Sequence, residues 1–233
     1  RPIDTMIQGL VEALRLIARL DPELLAILWL SLWVSGAAVL IAMAIGVPAG
    51  VFLGLRRFPG RSILVATVNA GMGLPPVVVG LFVLLLLSRS GPLGALGLLY
   101  TPTAMVLAQV ALATPLVVGV TMAAIQGLDD RLRLQILSLG ASRWQLYLKL
   151  VVEARVSLVA ALAAGFGAVV SEVGAVMIVG GNIQGHTRVM TTAIVLETRQ
   201  GNFAMAIALS TILLAVALLI NAAFTWLQQQ RKP

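Results

Sequence analysis

Five long apolar segments constrain the fold of this chain more than any other feature. They lie near residues 23–54, 62–88, 102–126, 156–180 and 203–228. Each is long enough to cross a membrane, because a helix needs about 20 residues to span roughly 30 Å of hydrocarbon. With 60% hydrophobic and 11% charged residues, a chain of this length cannot bury its apolar surface in water. The sequence therefore predicts an all-α integral membrane protein, with residues 1–233 in a single domain.

The first 22 residues form a separate N-terminal element. Residues 3–20 show helical periodicity but are too few to cross a membrane comfortably. We therefore expect residues 1–22 to form an amphipathic helix at the membrane surface beside five core transmembrane helices. A sixth span is the alternative.

Lysine and arginine are distributed unequally between the two sides that five spans create. Ten lie on the side of residues 127–155 and six on the other. The ten are Arg56, Arg57, Arg61, Arg131, Arg133, Arg143, Lys149, Arg155, Arg231 and Lys232, and the six are Arg1, Arg15, Arg19, Arg89, Arg188 and Arg199. Cytoplasmic loops carry an excess of these residues, which predicts a cytoplasmic C-terminus and an external N-terminus. Such loops also account for the net charge of +7, so we expect no nucleic acid as a partner.

The sequence carries no motif of an enzyme. It has neither a P-loop lysine motif nor an HExxH zinc motif. His186 is the only histidine and there is no cysteine, which leaves no set of residues typical of a metal site. We predict a chain that is not an enzyme and binds no cofactor or metal itself. An intramembrane protease is the enzymatic alternative, and no residue pattern favours it.

Residues 127–155 form the one long polar, basic segment between the apolar spans. The pattern predicts two short amphipathic helices with a hinge at Gly140 and Ala141. Ser142 and Gln145 have the spacing of a capping box, which restarts a helix after a break. A membrane protein that keeps such an element outside the bilayer is expected to offer it to a cytosolic partner.

The second apolar segment is interrupted by prolines and glycines. This stretch begins at Asn69 and includes Pro75 and Pro76. Prolines donate no backbone hydrogen bond, so a break inside a membrane needs other helices or water to satisfy the freed carbonyl groups. Pro48 and Pro115 are expected to interrupt the first and third segments. These breaks indicate a moving or pathway-lining assembly, with simple packing kinks as the alternative.

The fourth apolar segment carries Glu172, the one acidic residue deep within a predicted span. Small residues at three- and four-residue steps place Glu172 on a helix face suited to close packing, and Ser171 lies on a neighbouring stripe of small residues. A charge within the bilayer costs a few kcal/mol or more, so it faces protein or water. Glu172 is either a pathway or gate residue or a structural hydrogen-bond acceptor between helices.

The segment that follows the fourth span combines glycines with polar side chains. The polar candidates are Asn182, His186, Thr187 and Arg188. Such a cluster suits a polar mouth for an anion, with Arg188 as the charged donor.

Residues 127–155 resemble the cytoplasmic signature loop of the permeases of ABC importers. That loop has Glu-Ala-Ala, three residues, a glycine, nine residues and then Ile-x-Leu-Pro. Gly140 occupies the glycine position, whereas residues 134–136 read Leu-Gln-Ile in place of Glu-Ala-Ala. Longer blocks, including residues 71–81 and 171–198, resemble the permease subunit of tungstate-type ABC importers, which are related to molybdate and sulfate permeases.

The resemblance implies a type I importer transmembrane fold that works as a homodimer in a bacterial or archaeal plasma membrane. Two cytoplasmic ATPase subunits would bind ATP and Mg²⁺, and an external substrate-binding protein would deliver the cargo. The coupling helix that contacts the ATPase would include Gly140, Ala141, Ser142, Arg143 and Trp144. The cargo would be a tetrahedral oxyanion, tungstate, moved by alternating access.

Other functions are compatible with parts of this pattern. Molybdate, sulfate and thiosulfate permeases share the implied architecture. A secondary transporter driven by an ion gradient would need no ATPase. A structural membrane anchor would not need the prolines or Glu172.

Overall fold

The computed structural model describes residues 2–19 and 21–229, and its regular structure is helical. That part of the chain holds eleven α-helices, one 3₁₀ turn and no strand. The helices are α1 (Pro2–Ala18), α2 (Pro22–Leu55), α3 (Arg61–Met72), α4 (Pro76–Leu87), α5 (Pro102–Gln126), α6 (Asp130–Ser138), α7 (Arg143–Glu153), α8 (Arg155–Val170), α9 (Gly174–Gly180), α10 (Met190–Arg199) and α11 (Phe203–Gln229). The 3₁₀ turn, Gly94–Leu96, lies between α4 and α5. The prediction of an all-α fold is confirmed.

Two of the long helices begin at capping side chains. Asp21 Oδ1 accepts a hydrogen bond from the backbone N of Leu24 at 2.9 Å, and Pro22 is the first residue of α2. Thr101 Oγ1 accepts from the backbone N of Ala104 at 3.4 Å in the first turn of α5. Both side chains satisfy amide groups that have no partner within the helix. Proline in the first position loses no helical hydrogen bond, so these starts are locally determined.

Helices α2 and α5 pack against each other through a row of glycines. Gly46, Gly50 and Gly54 follow one another at four-residue steps along α2. A Cβ atom added at any of the three would lie within 2.9 Å of a side chain of α5. Small residues at this spacing let two membrane helices approach closely. The row therefore joins α2 and α5 into one packed unit at the centre of the fold.

Three helical stretches are long and apolar enough to cross a membrane in one piece. They are α2, α5 and the Phe203–Trp226 part of α11. Two further spans exist if each bent pair of helices counts as one: α3 with α4, bent by 105°, and α7 with α8, bent by 66°. The described chain thus has three to five candidate spans, and the count of five core helices stays a prediction.

The second predicted span, 62–88, is two helices instead of one. Helix α3 ends at Met72 and α4 begins at Pro76. Pro75 and Pro76 lack the amide hydrogens that would continue the ladder of α3. The interruption predicted for this segment is confirmed, and it is large enough to turn the chain by more than a right angle.

The interruptions predicted at Pro48 and Pro115 are wrong. Both prolines lie inside continuous helices, α2 and α5. The ring of Pro115 lies against Gly71 of α3, where an added Cβ would be only 2.8 Å from the ring. A helix can accommodate a proline when neighbouring helices compensate for the lost hydrogen bond.

The fourth predicted span, 156–180, is also divided. Helix α8 ends at Val170 and α9 begins at Gly174. The single helix face on which the sequence placed Glu172 therefore does not exist, because the chain leaves the helical path just before this residue. No proline marks this break, which explains why apolar length alone predicted a continuous helix.

Helix α1 packs along α11. Gly9 permits the contact, since a Cβ atom there would lie 2.5 Å from Cγ2 of Ile207. Ala13 is buried in an apolar cluster that includes Ala208 and Leu209 of α11. Met6, Leu10 and Leu14 remain exposed on α1. The expected N-terminal helix is present, and its position at the membrane surface stays a prediction.

The turn between α2 and α3 lies beside α6 and α7 at one end of the molecule. Arg56 in this turn donates from Nε to the hydroxyl of Tyr147 in α7 at 3.2 Å. We call this the α6–α7 end. The opposite end holds the starts of α2 and α5, where the backbone N of Tyr100 donates to Val179 O at 2.9 Å. Three of the lysine and arginine residues counted for the predicted orientation lie outside the described residues: Arg1, Arg231 and Lys232.

Candidate functional site

The breaks in the second and fourth predicted spans lie side by side. Gly174, the first residue of α9, is so close to α4 that an added Cβ would lie 2.6 Å from Cγ2 of Val77. One turn further, a Cβ on Gly80 of α4 would lie 2.6 Å from Cα of Ala175. The break at residues 73–75 and the break at residues 171–173 thus share one region. Two interruptions far apart in sequence form a single irregular site.

Side chains from three elements satisfy the backbone around the second break. Glu172 Oε1 accepts from the backbone N of Ala175 at 2.9 Å. Thr191 of α10 donates from Oγ1 to the carbonyl oxygen of Glu172 at 2.9 Å. Gln109 of α5 donates from Nε2 to the carbonyl oxygen of Val169 at 2.9 Å. Irregular backbone at membrane depth needs such partners, because lipid offers none. Glu172 therefore acts as a hydrogen-bond acceptor at the start of α9, which is compatible with a role in a gate.

A small polar cavity adjoins this break and was missed by sequence reasoning. Its volume is about 10 Å³, and its polar lining residues are Ser31, Ser35, Gln109, Glu172 and Thr191. The Gln109 side chain is 3% exposed, and its Oε1 has no hydrogen-bond partner among the described residues. The signal that could have found it is a glutamine well inside a predicted apolar span, since buried amides are usually hydrogen-bonded.

The other pathway candidates lie at the surface of the chain. Asn69, Pro75 and Ser171 are exposed, and Pro76 is half-buried. The Ser171 hydroxyl donates to the carbonyl oxygen of Gly167 at 2.8 Å, so it is turned towards its own helix. These residues do not enclose a passage within one chain, and their role in a pathway stays a prediction.

The two-helix element at the α6–α7 end is built as the sequence predicts. Gly140 has a φ of 78° between the two helices, a left-handed conformation that costs other residues energy. Ser142 Oγ accepts from the backbone N of Gln145 at 3.3 Å. Gln145 Oε1 accepts from the backbone N of Ser142 at 2.8 Å. The capping box is confirmed, and Gly140 with Ala141 forms the turn that separates α6 from α7.

This element is apolar on two sides. Leu146 and Leu150 of α7 are buried against the ends of α2 and α5. On the outside, Leu134 is 66% exposed, Leu139 86% and Trp144 68%. These large exposed apolar side chains make the element a candidate surface for another protein. The buried side anchors that surface to the membrane helices.

The polar segment at the opposite end folds around Thr187. This residue is 0% exposed, and its hydroxyl donates to Gly180 O and accepts from the backbone N of Ile183 at 2.9 Å. Thr187 therefore has a structural role in holding the segment. Asn182 has a φ of 52°, the left-handed region that asparagine tolerates better than most residues. His186 is exposed.

Arg188 faces carboxylates in the same segment. Its Nη1 lies 3.7 Å from Glu23 Oε1, and its side chain is 16% exposed. It borders a cavity of about 170 Å³ whose lining also includes Asp21 and Glu197. The positive charge is thus surrounded by acidic groups in this conformation. The role of Arg188 in attracting an anion stays a prediction.

The fold defines the class of protein: an all-helical membrane protein with interruptions in two predicted spans and a two-helix element at one end. Comparison with known proteins gives the family. Residues 46–232 match the family model described as "Binding-protein-dependent transport system inner membrane component". The chain belongs to this family of ABC transporter permeases.

Relatives named as anion, tungstate, molybdenum or sulfate permeases match most of this chain. A probable anion ABC transporter permease of Haloferax volcanii is 47% identical over 85% of this chain and 88% of its own length. The tungstate uptake system permease of Peptoclostridium acidaminophilum is 40% identical over 96% of this chain and 98% of its own. Molybdenum and sulfate permeases of Escherichia coli match at 30% and 27% identity.

A solved structure carries the same fold. The MetNI methionine ABC transporter, described as inward facing, superposes with a TM-score of 0.76 at 19% identity over 92% of this chain and 99% of the matched chain. At this identity the likeness shows the fold alone. The prediction of a type I ABC importer transmembrane fold is confirmed.

Proposed function

We propose that this chain is the membrane-spanning subunit of an ATP-driven importer for a tetrahedral oxyanion, with tungstate as the preferred cargo. The observation that carries the proposal is the α6–α7 element, which has an exposed apolar surface and is anchored to α2 and α5. That arrangement suits a surface through which a separate ATPase moves the membrane helices. The names of the relatives supply the class of cargo.

The motion of the ATPase would reach the membrane helices through α6 and α7. An ATPase that binds Leu134, Leu139 and Trp144 would displace α7, and the buried Leu146 and Leu150 would pass that displacement to α2 and α5. Because α2 and α5 pack without space between them, they would move together. The broken spans beside α5 are the parts that can change their angle, since hinges lie where helices are interrupted.

A second copy of the chain completes the proposed pathway. Asn69, Pro75 and Ser171 lie on the surface of one chain, so one subunit alone does not surround an ion. A two-fold partner that covers this surface would place both sets of broken spans around one axis. A substrate-binding protein would deliver the anion at the opposite end, consistent with the description of the family. Eight basic and three acidic residues in 55–61 and 127–155 support a cytoplasmic α6–α7 end.

The docking surface can be tested with Trp144→Glu and the matched variant Trp144→Phe. We expect Trp144→Glu to lower the ATP hydrolysis that the binding protein stimulates by at least about tenfold, because a central aromatic residue contributes strongly to an interface. Trp144→Phe keeps an apolar ring and should retain most of the activity. The measurement is ATP turnover in proteoliposomes that contain the permease, its ATPase and the loaded binding protein. Equal stimulation in both variants and the unchanged protein would refute the docking role.

The cargo can be tested by competition. In the same proteoliposomes, we expect unlabelled molybdate to reduce tungstate uptake strongly and sulfate to reduce it much less. Tungstate and molybdate are dianions of nearly equal size, whereas sulfate is smaller. Sulfate that competes as well as tungstate would favour a sulfate permease. Uptake without the ATPase and ATP, driven by an ion gradient, would point to a secondary transporter.

A further inference from the structure

A basic cavity lies at the α6–α7 end, between the turn after α2 and the two outer helices. Its volume is about 250 Å³. Three arginines line it, Arg56, Arg133 and Arg143, together with Tyr147 and leucines that include Leu55 and Leu137. No carboxylate is among the lining residues. The neighbouring cavity differs, because Asp129 and Asp130 line it beside its arginines.

None of the three arginines forms an ion pair among the described residues, and Arg133 also borders the neighbouring cavity with Asp129 and Asp130. The ion pairs among the described residues lie elsewhere and join Arg15 with Glu12 and Arg188 with Glu23. Arg56 donates from Nε to the Tyr147 hydroxyl, which orients its guanidinium group without neutralising it. All three arginines are exposed to solvent, and an anion between them would reduce the repulsion among their charges. Guanidinium groups bind phosphate oxygens through paired hydrogen bonds, so a phosphate group suits this cavity.

Two aromatic side chains lie close to Arg56 in the chain, the exposed Phe52 on α2 and the half-buried Phe58 in the turn after it. Phe52 lies one helical turn before Arg56 and is half exposed. Phe58 follows Arg56 by two residues, and its ring centroid lies 5.5 Å from that of Phe52. Arg56 thus lies next to apolar side chains at the end of a candidate membrane span. A free oxyanion would use the basic part of this surface, whereas a lipid would use both parts.

We propose that this cavity binds the headgroup of an anionic phospholipid, whose acyl chains lie along Phe52 and Phe58. Basic pockets between membrane helices bind anionic headgroups in this way. The lipid neutralises the repulsion among Arg56, Arg133 and Arg143 and holds α2 to α6 and α7. The site is separate from the transported anion and does not depend on which oxyanion is carried.

The experiment titrates the purified full chain with phosphatidylglycerol and, separately, with phosphatidylcholine, and counts bound lipids by native mass spectrometry. We expect Arg56→Gln to weaken phosphatidylglycerol binding about fivefold, because one arginine contributes about that factor near an anionic membrane. Arg133→Gln should act similarly and does not remove the bond to Tyr147. Arg89→Gln, the same change at the opposite end, should leave binding unchanged.

Competition distinguishes the two sources of the anionic group. Inorganic phosphate and tungstate at millimolar concentration should fail to displace phosphatidylglycerol, since neither contacts Phe52 or Phe58. Displacement by either free anion would overturn the lipid assignment and make the cavity a site for a soluble oxyanion. Equal binding of phosphatidylcholine, or equal losses in Arg89→Gln and Arg56→Gln, would overturn the site altogether.

Discussion

Single hydrogen bonds hold the irregular backbone around Glu172. The carboxylate accepts from the backbone N of Ala175 at 2.9 Å, so it replaces the carbonyl acceptor that a continuous helix would have supplied. The carbonyl group of the same residue is satisfied by Thr191. A charge in a membrane is stabilised where it meets the amide groups at the start of a helix. The residue thus explains how α8 and α9 can be separate within a span.

Removing the Thr191 hydroxyl tests this arrangement. Thr191→Val keeps the side-chain volume and leaves the Glu172 carbonyl without its partner, which should lower the free energy of unfolding by about 1 kcal/mol. Thr198→Val is the matched control, because the Thr198 hydroxyl bonds its own helix at Ile194 O and is exposed. The measurement is the unfolding transition in detergent. Two variants of equal stability would show that the bond to Glu172 contributes nothing.

The separation of hydrogen-bond partners along the chain explains which site features the sequence could predict. The Ser142–Gln145 box is local, with both partners within four residues, so the pattern alone was sufficient. Gln109 was missed because its partner, the Val169 carbonyl, lies 60 residues away in the chain. The irregular backbone that needs this amide carries no proline signal. Long-range partners of this kind follow only from the packing of helices.

Glycines, which have no side chain, determine which helices pair in this chain as much as larger residues do. The glycines on α2 allow α5 to approach until side chains of α5 touch the backbone of α2. Sequence reasoning found the long helices from their apolar length but did not pair them. Apolar length carries no information on neighbours, because lipid and protein are equally suitable surroundings for leucine. The spacing of glycines in α2 was the available signal.

A valine in the glycine row should separate α2 from α5. In Gly50→Val, the Cβ atom alone would lie 2.6 Å from Thr121 Cβ, so the expected loss of unfolding free energy is about 2 kcal/mol or more. Gly36→Val is the control on the same helix, since no atom lies within 4 Å of its added Cβ. That variant should change stability by less than about 0.5 kcal/mol. Thermal unfolding in detergent measures both, and a larger loss for Gly36→Val would contradict the packing.

At the scale of the whole molecule, the described chain leaves its irregular site uncovered. Leu74 and Val77 beside the first break are both about half exposed. A membrane protein can leave apolar side chains against lipid, but polar and irregular backbone is normally covered by protein or water. The arrangement therefore favours a symmetric dimer in which each copy covers the broken spans of the other.

The proposed dimer predicts the mass of the purified protein. Light scattering on the chain purified in a mild detergent, corrected for bound detergent, should give twice the chain mass of 24.4 kDa. Val77→Glu, which puts a charge at the covered surface, should shift the population to the single chain, whereas Leu214→Glu on exposed α11 should not. A single chain that supports uptake in proteoliposomes would exclude the dimer.

The break at residues 171–173 has anchors on two different helices. Gln109 fixes the carbonyl before it from α5, and Thr191 fixes the carbonyl within it from α10. The distance between the Gln109 and Thr191 side chains therefore depends on the separation of α5 and α10. Helix α10 continues directly from the polar segment at the opposite end. We therefore expect a tilt of that outer segment to change the angle between α8 and α9 without first passing through α6 and α7.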